Sequence, residues 1–326
     1  MKRNLLYLVL LLFTSTGSLY AQQQYKYKFI VAKDGSGEYT SIQDAINAMR
    51  AFPIKPITLI IKNGTYNEKI ELPTWNTDVT FIGESADKTI INFNDYSGRG
   101  KLTTFNSYTA KISGNDFRAE NITFVNSAGP VGQAVALHLE SDRAVFKNCR
   151  FLGYQDTLYL AGENARQYFV DCYIEGTTDF IFGPATALFE NCTINNKSNS
   201  YITAASTPQG IKYGFVFLNC KLTADSSVKK VFLGRPWREF SRTVFLKCNL
   251  GKHIVPEGWH NWSNPDAEKN TFYAEYKNSG PGSDPANRVS WSKQLTTKEA
   301  GEYSVEKILG KQKNTSAREV NWYKTR

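Results

Sequence analysis

Two aspartates occupy equivalent positions in neighbouring copies of a repeated sequence unit. Asp156 lies seven residues after Cys149, and Asp179 lies seven residues after Cys172. If each unit forms one coil of a stacked structure, about 4.8 Å separates the two backbones and both carboxyl groups point the same way. Like charges this close do not both ionise freely, so we expect one pKa to be raised. The pair suits acid, base or nucleophilic chemistry, whereas two exposed turn aspartates are the plainer alternative.

The repeat that sets this spacing is marked by the cysteines. An aromatic residue stands three positions before each cysteine and an apolar residue two positions after it, around Cys149, Cys172, Cys192, Cys220 and Cys248. Ile122 takes the cysteine position in an earlier copy, and the successive spacings are 27, 23, 20, 28 and 28 residues. Periods of this length indicate a solenoid.

Each unit contains short alternating strands separated by Gly, Asn, Asp and Ser turns, with no helical pattern that could cover a sheet. This pattern excludes a leucine-rich or α/β repeat and predicts an all-β fold, a right-handed parallel β-helix with one coil per unit. An aromatic content of 13% agrees with strands. We expect a short capping helix that starts with a capping box at Thr40–Gln43 and buries Ile42, Ala45, Ile46 and Met49. After Cys248 we expect a C-terminal wrap with a helix near Thr297–Leu309.

The cysteine column predicts a ladder of small apolar residues inside the core. The cysteines form no CxxC pair and have no His partner at metal-ligand spacing, so we expect no zinc site. Export would permit oxidation, and Cys172 with Cys192, on adjacent coils, is then the expected disulfide pair.

Residues 1–21 have the pattern of a secretory signal peptide. Lys2 and Arg3 precede an apolar run from Leu5 to Phe13, and small or polar residues lead to Ala21, after which we expect cleavage. A membrane anchor is the alternative, but the run is about half the roughly 20 residues that span a bilayer. Residues 22–326 are then one domain, secreted or periplasmic.

The formal net charge is +9, and loss of the signal peptide leaves +7. Nucleic acid, a membrane surface or an anionic polysaccharide could each bind a basic exported protein. The sequence has no run of five Lys or Arg residues, no amphipathic basic helix and no nucleic-acid-binding motif. Scattered basic residues among many aromatic ones favour an anionic polysaccharide, with solubilising surface charge as the alternative.

Four ordered blocks surround these aspartates: Gln133–Leu137, Gly153–Tyr159, Asp179–Gly183 and Leu233–Trp237. With flanking segments from Val31–Gly37 to Arg288–Trp291, they resemble the signature blocks of pectin methylesterases over nearly the whole mature chain. Thr178 departs from the pattern, because the family more often has Val there. The resemblance implies a β-helix whose open cleft binds methylated homogalacturonan without a metal or other cofactor.

The resemblance also implies a role for each matching residue. Asp179 is the nucleophile, and Asp156 is the general acid and then the base that activates water. Arg235 pairs with Asp179 and holds it ionised while Asp156 stays protonated. The amides of Gln133 and Gln155 donate to the developing oxyanion, or else only hydrogen-bond along a ladder.

Three aromatic residues complete the predicted site. Trp237, Tyr159 and Phe182 would stack on sugar faces or form the methyl pocket, and Phe182 is the one expected to be buried. Alternative activities for paired carboxylates on a β-helix are a retaining glycosidase, a polygalacturonase, or a pectate lyase with a calcium site. A non-catalytic glycan-binding solenoid is the alternative from another class. A Ser-His-Asp triad is disfavoured because the sequence has no GxSxG elbow.

Overall fold

A computed structural model of the protein describes residues 25–162, 164–310 and 321–324. The predicted signal peptide, residues 1–21, lies outside these described residues. In the described ranges, no helix is both long and apolar enough to cross a membrane.

The described strands, numbered along the chain, form three parallel sheets. Sheet A contains β1 Lys28–Val31, β2 Ile57–Ile61, β5 Val79–Gly83, β8 Arg118–Glu120, β11 Ala144–Lys147, β14 Arg166–Val170, β17 Thr186–Glu190, β20 Phe215–Leu218, β23 Arg242–Leu246, β25 Phe272–Tyr276 and β26 Lys293–Gln294. Sheet B contains β3 Gly64–Asn67, β6 Thr89–Phe93, β9 Thr123–Asn126, β12 Arg150–Leu152, β15 Tyr173–Gly176, β18 Thr193–Asn196, β21 Lys221–Ala224 and β24 Asn249–Leu250. Sheet C contains β4 Ile70–Leu72, β7 Ala110–Ile112, β10 Leu137–Leu139, β13 Leu158–Leu160, β16 Ile181–Gly183, β19 Tyr201–Ala205 and β22 Phe232–Gly234.

From β2 to β24, successive strands pass from sheet A to sheet B to sheet C, and then to the next coil of sheet A. Each strand therefore pairs in parallel with its counterpart one coil away, as β13 does with β10 and β16. The predicted right-handed parallel β-helix is confirmed. The core lies inside the coils, because the inward positions of all three sheets are apolar and buried.

The corner between sheets A and B explains the Asn or Asp that precedes most of the cysteines. The residue at this corner has a φ between 50° and 55° in five successive coils. These residues are Asn148, Asp171, Asn191, Asn219 and Lys247. Asn and Asp tolerate this left-handed conformation better than other side chains, so the repeated sequence marks a repeated bend. The aromatic position of the repeat forms an inner stack with ring centroids 4.3–5.0 Å apart, through Phe146, Phe169, Phe189, Phe217 and Phe245.

The cysteine ladder is confirmed, but the predicted disulfide between Cys172 and Cys192 is wrong. All five cysteines are free and buried. The Cys172 thiol lies 3.4 Å from the Phe146 carbonyl oxygen, and the Cys192 thiol lies 3.5 Å from that of Phe169. The two sulfurs thus bond equivalent backbone atoms and point the same way, whereas a disulfide requires two side chains that turn toward each other.

Helix α1 (Ile42–Asn47) covers the N-terminal end and buries Ile42, Ala45 and Ile46, as predicted; Met49 beyond it is also buried. The predicted capping box is wrong, because the N-cap is Ser41 rather than Thr40. The carboxylate of Glu68 accepts the backbone N–H groups of Ile42 and Gln43 instead. This long-range cap lies 25 to 26 residues away in sequence and has no local signal.

Among the described residues of the C-terminal wrap there are three short helices, α2 (Ala267–Asn270), α3 (Thr297–Ala300) and α4 (Val305–Leu309). The prediction of a single helix near Thr297–Leu309 is wrong. Helix α3 ends at Ala300, and helix α4 begins at Val305. The Ser304 side chain accepts the Lys307 N–H and caps α4. Ile308 and Leu309 of α4 are buried against the outer face of sheet A.

Candidate active site

The two aspartates lie at the same place in adjacent coils, two residues before strands β13 and β16 of sheet C. The Asp156 N–H donates to the Thr178 carbonyl oxygen at 3.1 Å, and the Asp179 N–H donates to that of Tyr201 at 2.9 Å. Both have left-handed backbones, with φ values of 64° and 49°. The shared offset in the sequence thus corresponds to a shared conformation that points both side chains the same way.

Glycines permit the tight turns that carry the aspartates. Gly153 and Gly176 each stand three residues before an aspartate. A Cβ on Gly176 would lie 2.2 Å from the Cβ of Phe180, and one on Gly153 would lie 2.5 Å from Oγ1 of Thr157. Both contacts are far inside van der Waals distance, so a larger residue would displace the following turn.

Arg235 makes the two aspartates different. It follows β22, two coils beyond Phe182, and its side chain reaches back to Asp179. Nε lies 3.0 Å from Oδ1 of Asp179, and Nη2 lies 2.6 Å from Oδ2, so the contact is bidentate. Asp156 has no such ion pair within the described residues. The predicted pairing of Arg235 with Asp179 is therefore present in the structure.

Burial and neighbouring charges give Asp156 and Asp179 different pKa values. Asp156 is 8% exposed and Asp179 is 6% exposed. Burial, together with the neighbouring Asp179 carboxylate, raises the pKa of Asp156 to about 8. Burial also raises the pKa of Asp179, but the hydrogen bonds and charge of Arg235 act in the opposite direction. Near neutral pH, this arrangement favours a protonated Asp156 beside an ionised Asp179.

Two aromatic rings pack against the Arg235 guanidinium. Neither ring was assigned to the site from the sequence alone. The guanidinium Cζ lies 3.6 Å from the ring centroid of Trp262 and 4.0 Å from that of Tyr201. Trp262 has a φ of 59°, an unusual conformation for a bulky residue, and its N–H donates to Nδ1 of His260 at 2.9 Å. Trp262 stands close to Trp259 in the sequence, but this local pattern does not indicate that its ring contacts Arg235.

The three predicted aromatic residues lie together beside the aspartates. The rings of Tyr159 and Phe182 stack with centroids 4.8 Å apart, and those of Phe182 and Trp237 are 5.9 Å apart. Phe182 is buried at 4% exposure, while Tyr159 and Trp237 are half-buried. These three rings form an aromatic floor on the outer side of sheet C.

Gln133 and Gln155 lie on neighbouring coils as an isolated parallel bridge. Both are half-buried, and neither side-chain amide makes a hydrogen bond within the described residues. The side-chain hydrogen-bonded ladder considered as an alternative is therefore not formed between them. Gln155 directly precedes Asp156 in the chain, and Gln133 lies one coil before Gln155.

The pKa of Asp156 gives a stability prediction. A carboxyl whose pKa is higher in the folded than in the unfolded chain costs stability as pH rises from about 4 to 8. We expect Asp156→Asn to raise the free energy of unfolding relative to wild type, by a gap that widens over this range to a few kcal/mol. Thermal unfolding of both proteins across this pH range measures the gap. A gap that does not change with pH would contradict the raised pKa.

Comparison with known proteins places this chain in a family. The sequence model described as Pectinesterase matches residues 28–312. The chain is 42% identical over 299 residues to a probable pectinesterase/pectinesterase inhibitor of Arabidopsis thaliana, covering 87% of this chain and 52% of that protein. It therefore spans about half the length of this curated relative.

Two solved structures are similar over most of their length. A pectin methylesterase from carrot superposes with a TM-score of 0.82 at 35% identity, covering 86% of this chain and 92% of that one. A pectin methylesterase in complex with a hexasaccharide superposes with a TM-score of 0.75 at 32% identity, covering 90% of this chain and all of that one. With the family match and these folds, the chain belongs to the pectinesterase family.

Proposed function

We propose that this protein hydrolyses the methyl esters of pectin, releasing methanol and leaving pectate, with Asp179 as the nucleophile. The observation that carries this proposal is the asymmetry of the carboxyl pair. Asp179 is ion-paired with Arg235, while Asp156 beside it has a pKa of about 8. An ionised nucleophile next to a protonated acid is what ester cleavage requires at neutral pH.

In the first step, a carboxylate oxygen of Asp179 attacks the carbonyl carbon of a methyl-esterified galacturonate. The bond from that carbon to the methoxy oxygen breaks, and Asp156 gives its proton to the departing methoxide. Methanol leaves, and the substrate acyl group remains joined to Asp179 as a mixed anhydride. We assign the half-buried amides of Gln133 and Gln155 as the donors to the carbonyl oxygen as it becomes negative, and their positions on neighbouring coils support this.

In the second step, Asp156 is ionised and serves as the base. It takes a proton from a water molecule, whose oxygen attacks the acyl carbon of the substrate. The bond to Asp179 breaks, which restores the Asp179 carboxylate and releases the free galacturonate. Asp156 is protonated again at the end of this step. The galacturonic acid that forms then loses its proton to solvent.

The cleft surface supports a polysaccharide substrate. Tyr159 and Trp237 expose part of their rings beside the carboxyl pair, and aromatic faces stack on sugar rings. The related pectin methylesterase structure with a hexasaccharide agrees with an extended sugar ligand. We infer methylated homogalacturonan as the substrate, with no nucleic-acid or membrane partner after signal cleavage.

The products of methylated pectin test the proposed activity. We expect methanol without new reducing ends and without unsaturated ends. A glycosidase would give reducing ends, a lyase would give unsaturated ends, and a non-catalytic binder would give neither methanol nor new ends. Chain cleavage without methanol would therefore overturn the proposal.

The basic charge predicts salt-dependent binding. A chain of net charge +7 after signal removal attracts an anionic polymer through forces that salt screens. We expect the affinity for polygalacturonate to fall about threefold or more between about 0.05 M and 0.5 M salt. Titration at the two ionic strengths measures this change. Equal affinities would show that the charge does not steer the substrate.

The packing of Tyr201 and Trp262 against the Arg235 guanidinium predicts an effect on kcat. Removing one ring face from a guanidinium costs about 0.5–2 kcal/mol, so we expect Trp262→Ala to lower kcat about two- to thirtyfold. KM should change less, because Trp262 acts by positioning Arg235. Trp75→Ala removes an exposed tryptophan elsewhere and should leave kcat unchanged. Equal effects of the two variants would refute the positioning role.

We further propose that the protein is exported, as a secreted or periplasmic enzyme, with cleavage after Ala21. The charged, apolar and small-residue regions of residues 1–21 support this. Intact mass of the protein recovered from its native host tests it, and a retained Met1 would contradict it.

A further inference from the structure

A cavity of about 540 Å³ continues the aromatic floor away from the carboxyl pair. It is lined by Phe105, His138, Glu140, Tyr159, Ala161 and Gly162. Tyr159 belongs to both places, because its ring stacks on Phe182 on one side and lies 5.1 Å from the ring of Phe105 on the other. A polymer bound over the aspartates therefore has a neighbouring residue within reach of this cavity.

The polar edge of the cavity is the contact between His138 and Glu140. His138 Nδ1 lies 2.9 Å from the Phe105 carbonyl oxygen, which only accepts, so this nitrogen carries the proton. Burial lowers the pKa of His138, and the Glu140 carboxylate beside it acts in the opposite direction. Nε2 lies 3.1 Å from Oε1 of Glu140, a distance at which a proton lies between the two atoms. The Glu140 carboxylate is therefore the acceptor that the cavity offers to the hydroxyl groups of a sugar ring.

Glu140 is held in place and gives the cavity its charge. The Ser113 hydroxyl donates to Oε2 at 2.7 Å, and Lys111 Nζ lies 3.3 Å from Oε1. Lys111 lies one coil before His138 on sheet C and is not part of the cavity lining. The charged group that a ligand meets inside the cavity is therefore the Glu140 carboxylate, with Lys111 partly compensating it from behind.

We propose that this cavity is a sugar subsite that selects a methyl-esterified over an unesterified galacturonate. Tyr159 and Phe105 contact the sugar ring, and Glu140 accepts hydrogen bonds from its hydroxyls. An esterified residue is uncharged, whereas a free carboxylate is repelled by Glu140. The inference rests on the proposed function, and it adds that the enzyme engages methylated stretches in preference to pectate it has already produced.

The test measures binding selectivity in full-length protein carrying Asp179→Asn, so that the ester is not consumed. Selectivity is the Kd for unesterified hexagalacturonate divided by the Kd for its fully methyl-esterified form, both by titration calorimetry. We expect Glu140→Gln to lower selectivity about two- to fivefold, since a screened like-charge contact is worth about 1 kcal/mol or less. Lys111→Met removes the compensating cation and should raise selectivity.

Glu84→Gln is the matched control. Glu84 also pairs with a lysine at 3.3 Å, Lys62, but it lies outside the cavity lining, so this variant should leave selectivity unchanged. The proposal is overturned if Glu140→Gln behaves like Glu84→Gln, or if the Glu140 and Lys111 variants shift selectivity in the same direction. The selectivity is a ratio of two Kd values and does not depend on methanol release. Methanol release by the wild-type protein therefore tests the proposed esterase activity separately.

Discussion

We expect Asp179→Asn to lower methanol release from methylated pectin by about 10⁴-fold or more, while fold and substrate binding persist. The amide has nearly the shape of the carboxylate, but it is a far poorer nucleophile. It also loses the ion pair with Arg235, whose Nη2 lies 2.6 Å from Oδ2. Methanol release, thermal unfolding and oligogalacturonate binding together measure the three properties.

Asp171→Asn is the matched control for this variant. Asp171 is also an aspartate with a left-handed backbone, at a φ of 55°, but it is exposed at a corner between sheets A and B. We expect it to keep wild-type activity. Substantial activity in Asp179→Asn, or an equal loss in Asp171→Asn, would remove Asp179 from the nucleophile's role.

Asp156→Asn should lower kcat on methyl esters by about 10²- to 10⁴-fold, the usual contribution of general acid–base catalysis. An ester with an activated leaving group needs no proton in the first step, so the variant should still acylate on such a substrate. In wild type, the first step needs protonated Asp156 and therefore weakens as pH rises through about 8. This basic limb should disappear for acylation of the variant by the activated ester.

Arg235 should set the position of the whole pH profile. Its charge lowers the pKa of both aspartates, so Arg235→Ala should raise both values. Because activity needs ionised Asp179, the acid limb would move to higher pH along with the basic limb, and the maximum rate would fall. An unmoved profile, with Asp156→Asn equally inactive on both types of ester, would contradict this division of roles.

The repeat made most of the fold predictable because each coil uses the same local conformation. The aromatic and cysteine positions face inward in every copy, so their periodicity defined the coils and the shared offset of Asp156 and Asp179. The disulfide prediction failed because adjacency alone says nothing about side-chain direction. Cys172 and Cys192 point the same way and bond backbone carbonyls.

Contacts between distant segments could not be predicted from local pattern. Glu68 caps helix α1 from 25 to 26 residues away, and Trp262 reaches Arg235 from the C-terminal wrap. Nothing in the sequence around either residue specifies its partner. The pairing of Arg235 with Asp179 was expected only from the family resemblance, since these residues are 56 positions apart.

The most direct test of the central claim is to capture the bond between substrate and Asp179. Asp156→Asn, which lacks the base for the second step, is mixed with an activated galacturonate ester, quenched with hydroxylamine and analysed by peptide mass spectrometry. We predict a burst of one leaving group per protein molecule and a hydroxamate on the peptide that contains Asp179. Turnover without a burst, or a hydroxamate on any other residue, would contradict the account.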